Sequence, residues 1–245
     1  MGKTIVIEIN FNNYGMNPNR LTREWISERI RVFRRFTLKS LEAQTNQQFL
    51  AVVKLAGGCS GIVEEELAQY PPLPGNIRFG TTAESNLHIA SWVQEVRKAQ
   101  ELHPVRHYRD LFIARLDSDD LYHRTFVQQL HDYTPLPGTD ALVNQRGYLW
   151  DSVQGQMAPV FYSSPQFYVF LYSADAYLAG ERIAIPGKGH HNVALLPHEV
   201  FKARNFVNVV HSSNVSVKKV PSENRLSREE MKHVLAEFMS EVEYN

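Results

Sequence analysis

Apolar residues in the first half of the chain fall into two alternating rhythms. Thr4 to Ile9 is a β-branched run and predicts a first strand. Asn10 to Arg20, rich in Asn, Gly and Pro, predicts a loop. From Thr22 to Ala43 the apolar positions Ile26, Ile30, Phe33 and Leu41 recur near one stripe, widened by Trp25, Val32 and Phe36. This predicts one long helix. Phe49 to Leu55 predicts a second strand, ended by Gly57-Gly58, and Gly61 to Gln69 a helix broken by Pro71-Pro72-Leu73-Pro74-Gly75. Ile77 to Phe79 predicts a short third strand, and Leu87 to Leu102 a second long helix. Leu111 to Leu116 is apolar almost throughout, as a buried central strand is. Strands alternating with helices imply a largely parallel sheet flanked by helices.

The second half has a different texture. Ala141 to Trp150 and Phe167 to Tyr172 predict strands, with Gly and Pro between them. Ser227 to Val242 predicts a helix, opened by a capping box of Ser227 and Glu230. Its stripe of Met231, Val234, Leu235, Phe238, Met239 and Val242 must dock on something. With no linker and no repeat, residues 1–245 read as a single domain: an α/β half (1–120), a more irregular half (121–225) and a C-terminal helix (226–245).

Composition narrows the function classes. The 26 basic and 26 acidic side chains give no net charge, so the basic excess of a protein that neutralises nucleic-acid phosphates is missing. A single cysteine, Cys59, allows neither an internal disulfide nor a cysteine-rich zinc site. The first apolar run is too short for a signal peptide, and no stretch approaches the roughly 20 apolar residues of a membrane span. A cytoplasmic protein without a transmembrane segment is expected.

The chemistry-bearing motif is Asp117-Ser118-Asp119-Asp120, directly after the apolar fourth strand. Ligands of open α/β sheets bind outside the carboxyl ends of the strands. Carboxylates at this spacing can hold a hard divalent cation, which in turn can bridge two phosphates. Arg115 stands near the strand end, where it can meet a carboxylate or a phosphate. The competing reading is structural: Asp-rich turns are common as Asx-turns and caps, and Asp120 can cap a helix from Tyr122 to His131. An EF-hand is excluded by Leu121, Tyr122 and His123, which supply no further ligands.

The stretch Ile113 to Leu121 resembles the aspartate motif of the rhamnosyltransferases, a bacterial and viral family of GT-A fold. Trp25, Arg29, Phe33 and Phe36 resemble that family's first helix. So does Leu38-Lys39-Ser40-Leu41-Glu42-Ala43-Gln44-Thr45 followed by Phe49. Phe11-Asn12 also matches, and Val209 to Ser216 resembles its His-x-x-Asn stretch. The resemblance implies a GT-A glycosyltransferase of mixed central sheet, a hexosyltransferase of polysaccharide biosynthesis. The first half would bind a nucleotide-sugar and the second would face the acceptor. It implies a divalent metal, Mn2+ or Mg2+, a dTDP- or UDP-linked donor such as dTDP-rhamnose, a glycan or other hydroxyl acceptor, and inversion at the anomeric carbon. By the same analogy Asp119 is the direct metal ligand, Asp117 lies nearer the ribose or the metal's waters, and His211 completes the metal shell. Phe11, Asn12, Arg115 and Ser118 join the nucleotide side. The chain departs from the family at Val53 to Gly58, where many relatives carry an aspartate, and at Ser212-Ser213, where a glycine is common.

An inverting transfer needs a base for the acceptor hydroxyl. The glycine-flanked Gly187-Lys188-Gly189-His190-His191-Asn192 reads as a lid or a solvated turn. His190 or His191 can act as base there, or hold diphosphate with Lys188; Asp151 is the next candidate, with Asp175 and Glu199 as rivals. The aromatics from Pro159 to Tyr172 read mostly as core, with Tyr162 and Tyr168 as candidate sugar platforms. The basic run Arg29, Arg31, Arg34 and Arg35 reads as a solvated face, from which Arg29 or Arg34 can reach phosphate. Two other classes compete. One is a nucleotidyltransferase, although Asn10 to Gly15 lacks a Gly-rich loop. The other is a non-catalytic carbohydrate-binding protein with a degenerate site.

Overall fold

Side chains on β1 (Thr4–Asn10) alternate between two covered faces, Ile5, Ile7 and Ile9 toward one and Val6 toward the other. The structure, a computed structural model, describes residues 3–13, 17–100, 110–187, 189–214 and 218–240. After β1 come α1 (Arg23–Arg35), α2 (Thr37–Glu42), β2 (Leu50–Leu55), α3 (Ser60–Leu67), β3 (Ile77–Thr81), α4 (Thr82–Gln100) and β4 (Leu111–Asp117). The second half holds β5 (Leu121–Tyr122), α5 (Phe126–Asp132), β6 (Ala141–Val143), β7 (Arg146–Asp151), β8 (Gln156–Phe161), β9 (Tyr168–Tyr172) and α6 (Ala174–Leu178). A 3-10 helix (His190–Leu195), β10 (His198–Val200), β11 (Phe206–Val210) and α7 (Arg228–Ala236) complete it.

The main sheet runs β10-β6-β9-β4-β1-β2-β3. All its pairings are parallel except those of β9, which is antiparallel to both β4 and β6. A second sheet runs β5-β11-β7-β8. The result is the mixed α/β architecture with flanking helices that the sequence predicts. Among the described residues no helix is long and apolar enough to cross a membrane.

Three predicted elements come out differently, each for a physical reason. The helix expected over Thr22 to Ala43 is two helices, broken at Phe36 (φ −117°, ψ −77°). Beyond the break, Thr37 Oγ1 donates to the Asp120 carbonyl at 2.9 Å. Ser40 Oγ donates to the Tyr122 carbonyl at 2.8 Å and accepts from the Tyr122 amide at 3.0 Å. The break turns α2 so that its hydroxyls serve the backbone of the acidic turn. The strand expected over Ala141 to Trp150 is split between the two sheets at Asn144, which is fully buried and donates from Nδ2 to the Phe167 carbonyl. Just beyond, Gly147 lets the Phe206 ring approach where a Cβ would stand 2.5 Å from it. The helix expected from Tyr122 starts instead at Phe126, because Leu121 and Tyr122 pair with β11.

The C-terminal helix keeps its predicted capping box but ends at Ala236. The stripe residue Val242 lies outside the described residues. Met231, Leu235, Phe238 and Met239 dock on Trp150, Met157, Val207 and Val209 of the small sheet and on Val32 and Phe36 at the end of α1. One helix thus fastens the small sheet to the α1–α2 corner.

Candidate functional site

The acidic turn hangs between the two sheets, where β4 ends and β5 begins. The Ser118 amide donates to the Asn10 carbonyl at 3.2 Å, and the Asp120 amide to the Asp117 carbonyl at 3.1 Å. With α2 holding it from below, this backbone is fixed and its three carboxylates face different surroundings.

Asp119 is nearly buried and meets His211, which follows β11. Asp119 Oδ2 lies 3.1 Å from His211 Nε2, 3.1 Å from Arg29 NH1 and 3.3 Å from Asn214 Nδ2. Burial alone would raise the Asp119 pKa, but the Arg29 charge and the His211 contact override it and hold the carboxyl at about 2. The His211 ring is fixed from behind. Its Nδ1 accepts from the Ser213 amide at 3.3 Å and lies 3.1 Å from Ser213 Oγ, which also donates to Glu28. The His211 amide donates to Asn214 Oδ1. The Phe36 ring, placed by the helix break, stacks 6.2 Å away. Ser213 orients the imidazole.

Asp117 faces another way. Its Oδ1 accepts from Arg115 NH2 at 2.9 Å and Asn10 Nδ2 at 3.3 Å, sharing no partner with Asp119. Arg115 also donates to the Gln166 carbonyl. Among the described residues no three His, Cys, Asp or Glu side chains gather around one point. Asp117 therefore stands apart from the Asp119–His211 pair that the analogy joined it to.

Asp120 is buried and is not a helix cap. Oδ1 accepts from Asn208 Nδ2 at 2.7 Å and the Val209 amide at 2.8 Å, and Oδ2 from Gln166 Nε2 at 2.8 Å. It ties β11 to the acidic turn. Burial and the charges of Asp119 and Asp117 push its pKa up to about 8.

Other expected site residues divide clearly. Ser118 is fully buried, and its Oγ accepts from Arg29 Nε, so it positions Arg29 and does not face open space. Phe11 packs in the core edge-on to Trp25 and Phe79. Asn12 is 2% exposed, and its amide is spent on the Ala56 amide, the Arg20 carbonyl and Cys59 Sγ. Both shape the loop after β1 and present no face to a ligand. Asp151 Oδ1 accepts from the Val153 and Gln154 amides and shapes the β7–β8 turn. Asp175 is paired with Arg97 at 2.7 Å. Glu199 on β10 takes hydrogen bonds from Tyr133, Leu136 and Thr139. Both are structural.

His190 and His191 open the 3-10 helix at an exposed rim, anchored by the buried Val193. Desolvation by neighbouring atoms and then the Arg115 charge lower the His190 pKa, while Asp117 opposes them. Lys188 lies outside the described residues. Tyr168 is core, beside Ala141 and Val193, and the half-buried Tyr162 stacks on Phe206. Of the basic run, Arg29 enters the site, while Arg34 donates to the Pro71 carbonyl.

The sequence reading missed Asn208, Gln166 and Lys218. Lys218 Nζ donates to Asn208 Oδ1 at 2.6 Å and brings a cation beside Asp120. None of the three carries a local signal; only the folded β9 and β11 bring them here. A cavity of about 270 Å³ lies at the other end of β11, between His123, Tyr148, Asn205 and Phe238, and includes none of these carboxylates.

The family described as "Putative rhamnosyl transferase" matches residues 19–223. That range covers most of the chain and contains the acidic turn, Arg29 and His211. The chain belongs to this family, by its description a family of glycosyltransferases. No curated protein matches the chain. Among solved structures it is similar to residues 1–349 of S. aureus TarS, at 12% identity and TM-score 0.42, covering 84% of this chain and 60% of that one. The same figures hold for that TarS structure in complex with UDP. A longer TarS structure gives 14% identity and TM-score 0.39, over 86% of this chain and 37% of that one. The chain thus spans about 60% of the length of the first two.

Proposed function

We propose that this protein is a metal-dependent, inverting glycosyltransferase that moves a sugar from a nucleotide-diphosphate donor to a hydroxyl on a glycan acceptor. Family membership supports the reaction class. The observation that carries the metal is the Asp119–His211 pair at the carboxyl end of β4. Its two ligand atoms lie 3.1 Å apart. Adjacent ligands of one Mg2+ or Mn2+ ion, with bonds of about 2.1 Å, have about this spacing. Carboxylate and imidazole both suit Mn2+. For Nε2 to give its lone pair to the ion the ring proton must sit on Nδ1, and the bond that Nδ1 accepts from the Ser213 amide then gives way to one that Nδ1–H donates to Ser213 Oγ. When bound, the ion supplies positive charge to the diphosphate leaving group.

The chain's own residues account for the rest. Asp117, held by Arg115 and Asn10, offers a carboxylate to the ribose. Arg115, Lys218 and Arg29 bring positive charge toward a diphosphate. His190, exposed at the rim, is the group we assign to take the acceptor's proton, with His191 beside it. Trp25, which carries the Arg29 guanidinium on its ring at 6.0 Å, borders an open groove with Asn19, Thr22, Glu24 and Glu28, where an acceptor sugar can lie. We assign the donor as dTDP- or UDP-linked, with rhamnose as the sugar that the family name suggests.

The test is thermal stabilisation by UDP and dTDP with and without Mn2+, since a ligand stabilises the state it prefers. A metal-dependent shift, lost in Asp119→Ala, is expected. Absence of any shift with every nucleoside diphosphate sinks the proposal, and a shift with triphosphates alone favours a nucleotidyltransferase.

A further inference from the structure

A third charged group closes the Asp119–His211 pair. Arg29 lies in the middle of α1, and its side chain is 15% exposed. Its Nε donates to Ser118 Oγ at 3.0 Å and its NH1 to Asp119 Oδ2 at 3.1 Å, while NH1 also lies 3.5 Å from His211 Nε2. One guanidinium nitrogen therefore stands against the carboxylate oxygen and the ring nitrogen that a divalent ion would take. In this near-buried place the positive charge of Arg29 neutralises Asp119. A divalent cation at the same two atoms would meet it at close range, where like charges repel strongly.

We propose that Arg29 is the resident counter-cation of Asp119 and gates the metal. A divalent ion reaches Asp119 and His211 only as the guanidinium withdraws, and the donor's diphosphate is the anion that receives it. This inference rests on the metal reading above. The guanidinium suits the exchange. It is always charged, and its planar fork fits phosphate oxygens as well as a carboxylate. Its present contacts are to side chains, so leaving them breaks no secondary structure. The metal and the nucleotide are then linked: each pays part of the cost of moving Arg29, and each tightens the other's binding by the same factor.

The test is a titration of the full-length protein with Mn2+, reading free Mn2+ by its electron paramagnetic resonance signal. It is run alone and with saturating UDP or dTDP, against protein-free Mn2+–nucleotide mixtures. Wild type is expected to bind Mn2+ weakly alone and at least about tenfold more tightly with nucleotide. Arg29→Gln, checked for folding by circular dichroism, is expected to bind Mn2+ alone about tenfold more tightly than wild type and to gain little from nucleotide. Arg29→Lys, which keeps the charge, is expected to stay close to wild type. Wild-type affinity indifferent to nucleotide overturns the gate, a result that needs no variant. So does an Arg29→Gln affinity equal to or weaker than wild type, and so does Arg29→Lys matching Arg29→Gln. Any of these leaves the metal site itself standing. No Mn2+ binding by any of the proteins, alone or beyond that of the protein-free nucleotide mixtures, overturns the metal reading and the gate together.

Discussion

Asp120 is the most committed side chain of the acidic turn. Its two oxygens collect three donors, from Asn208, Val209 and Gln166, and so join β11 and the loop before β9 to the end of β4. Asp120→Ala leaves those donors unpaired in a dry place, where each costs on the order of 1–3 kcal/mol. Urea unfolding is expected to show a loss of about 3 kcal/mol or more. Asp120→Asn should cost far less. An amide keeps one oxygen for Asn208 and Val209, and its nitrogen can meet the Gln166 amide turned over. Burial and the charges of Asp119 and Asp117 raise this carboxyl's pKa, so the place disfavours a charge and an uncharged amide suits it. Equal losses in the two variants would show that this network does not hold the turn. In the sequence Asp120 differs from Asp117 and Asp119 only in position. Its separate role comes from Asn208, 88 residues away, which no local pattern marks.

Elements follow the sequence where periodicity decides them and depart where distant hydrogen bonds do. The stripe of Ile26, Ile30 and Phe33 is buried as read, but neither Gly nor Pro announces the break at Phe36. Its cause is the Thr37–Asp120 bond, 83 residues apart in the chain. Likewise β10 is too short to read, and its Glu199 looked like a rival base. In the fold Glu199 fastens the segment from Tyr133 to Thr139 to this edge strand. Burial would raise the Glu199 pKa, but the bonds from Thr139, Leu136 and Tyr133 outweigh it and lower the value. A carboxylate depressed on folding contributes stability above its unfolded pKa, about 4.3, which is lost as pH falls through the folded value. Wild-type melting temperature should therefore fall more steeply below about pH 4.3 than that of Glu199→Gln. Parallel acid limbs in the two proteins would refute this role.

At the scale of the whole molecule, α7 holds the small sheet against the α1–α2 corner. That this helix docks was legible from its stripe; where it docks was not, because the receiving surface is assembled from β7, β8, β11 and α1. Leu235, fully buried in that contact, should cost about 2–5 kcal/mol when replaced by Ala in chemical denaturation. A loss below about 0.5 kcal/mol would mean that the helix is not part of the cooperative unit. The pairing of Asp119 with His211 was legible only through family resemblance, and the placement of Arg29 between them was not. The two partners are separated by 92 residues of chain. Contacts of such long range spend loop-closure entropy before they return any. During synthesis the acidic turn and Arg29 emerge well before β11 is made. A half-finished chain thus lacks the imidazole altogether. The order of translation itself keeps the pair apart until β11 has slotted between β5 and β7.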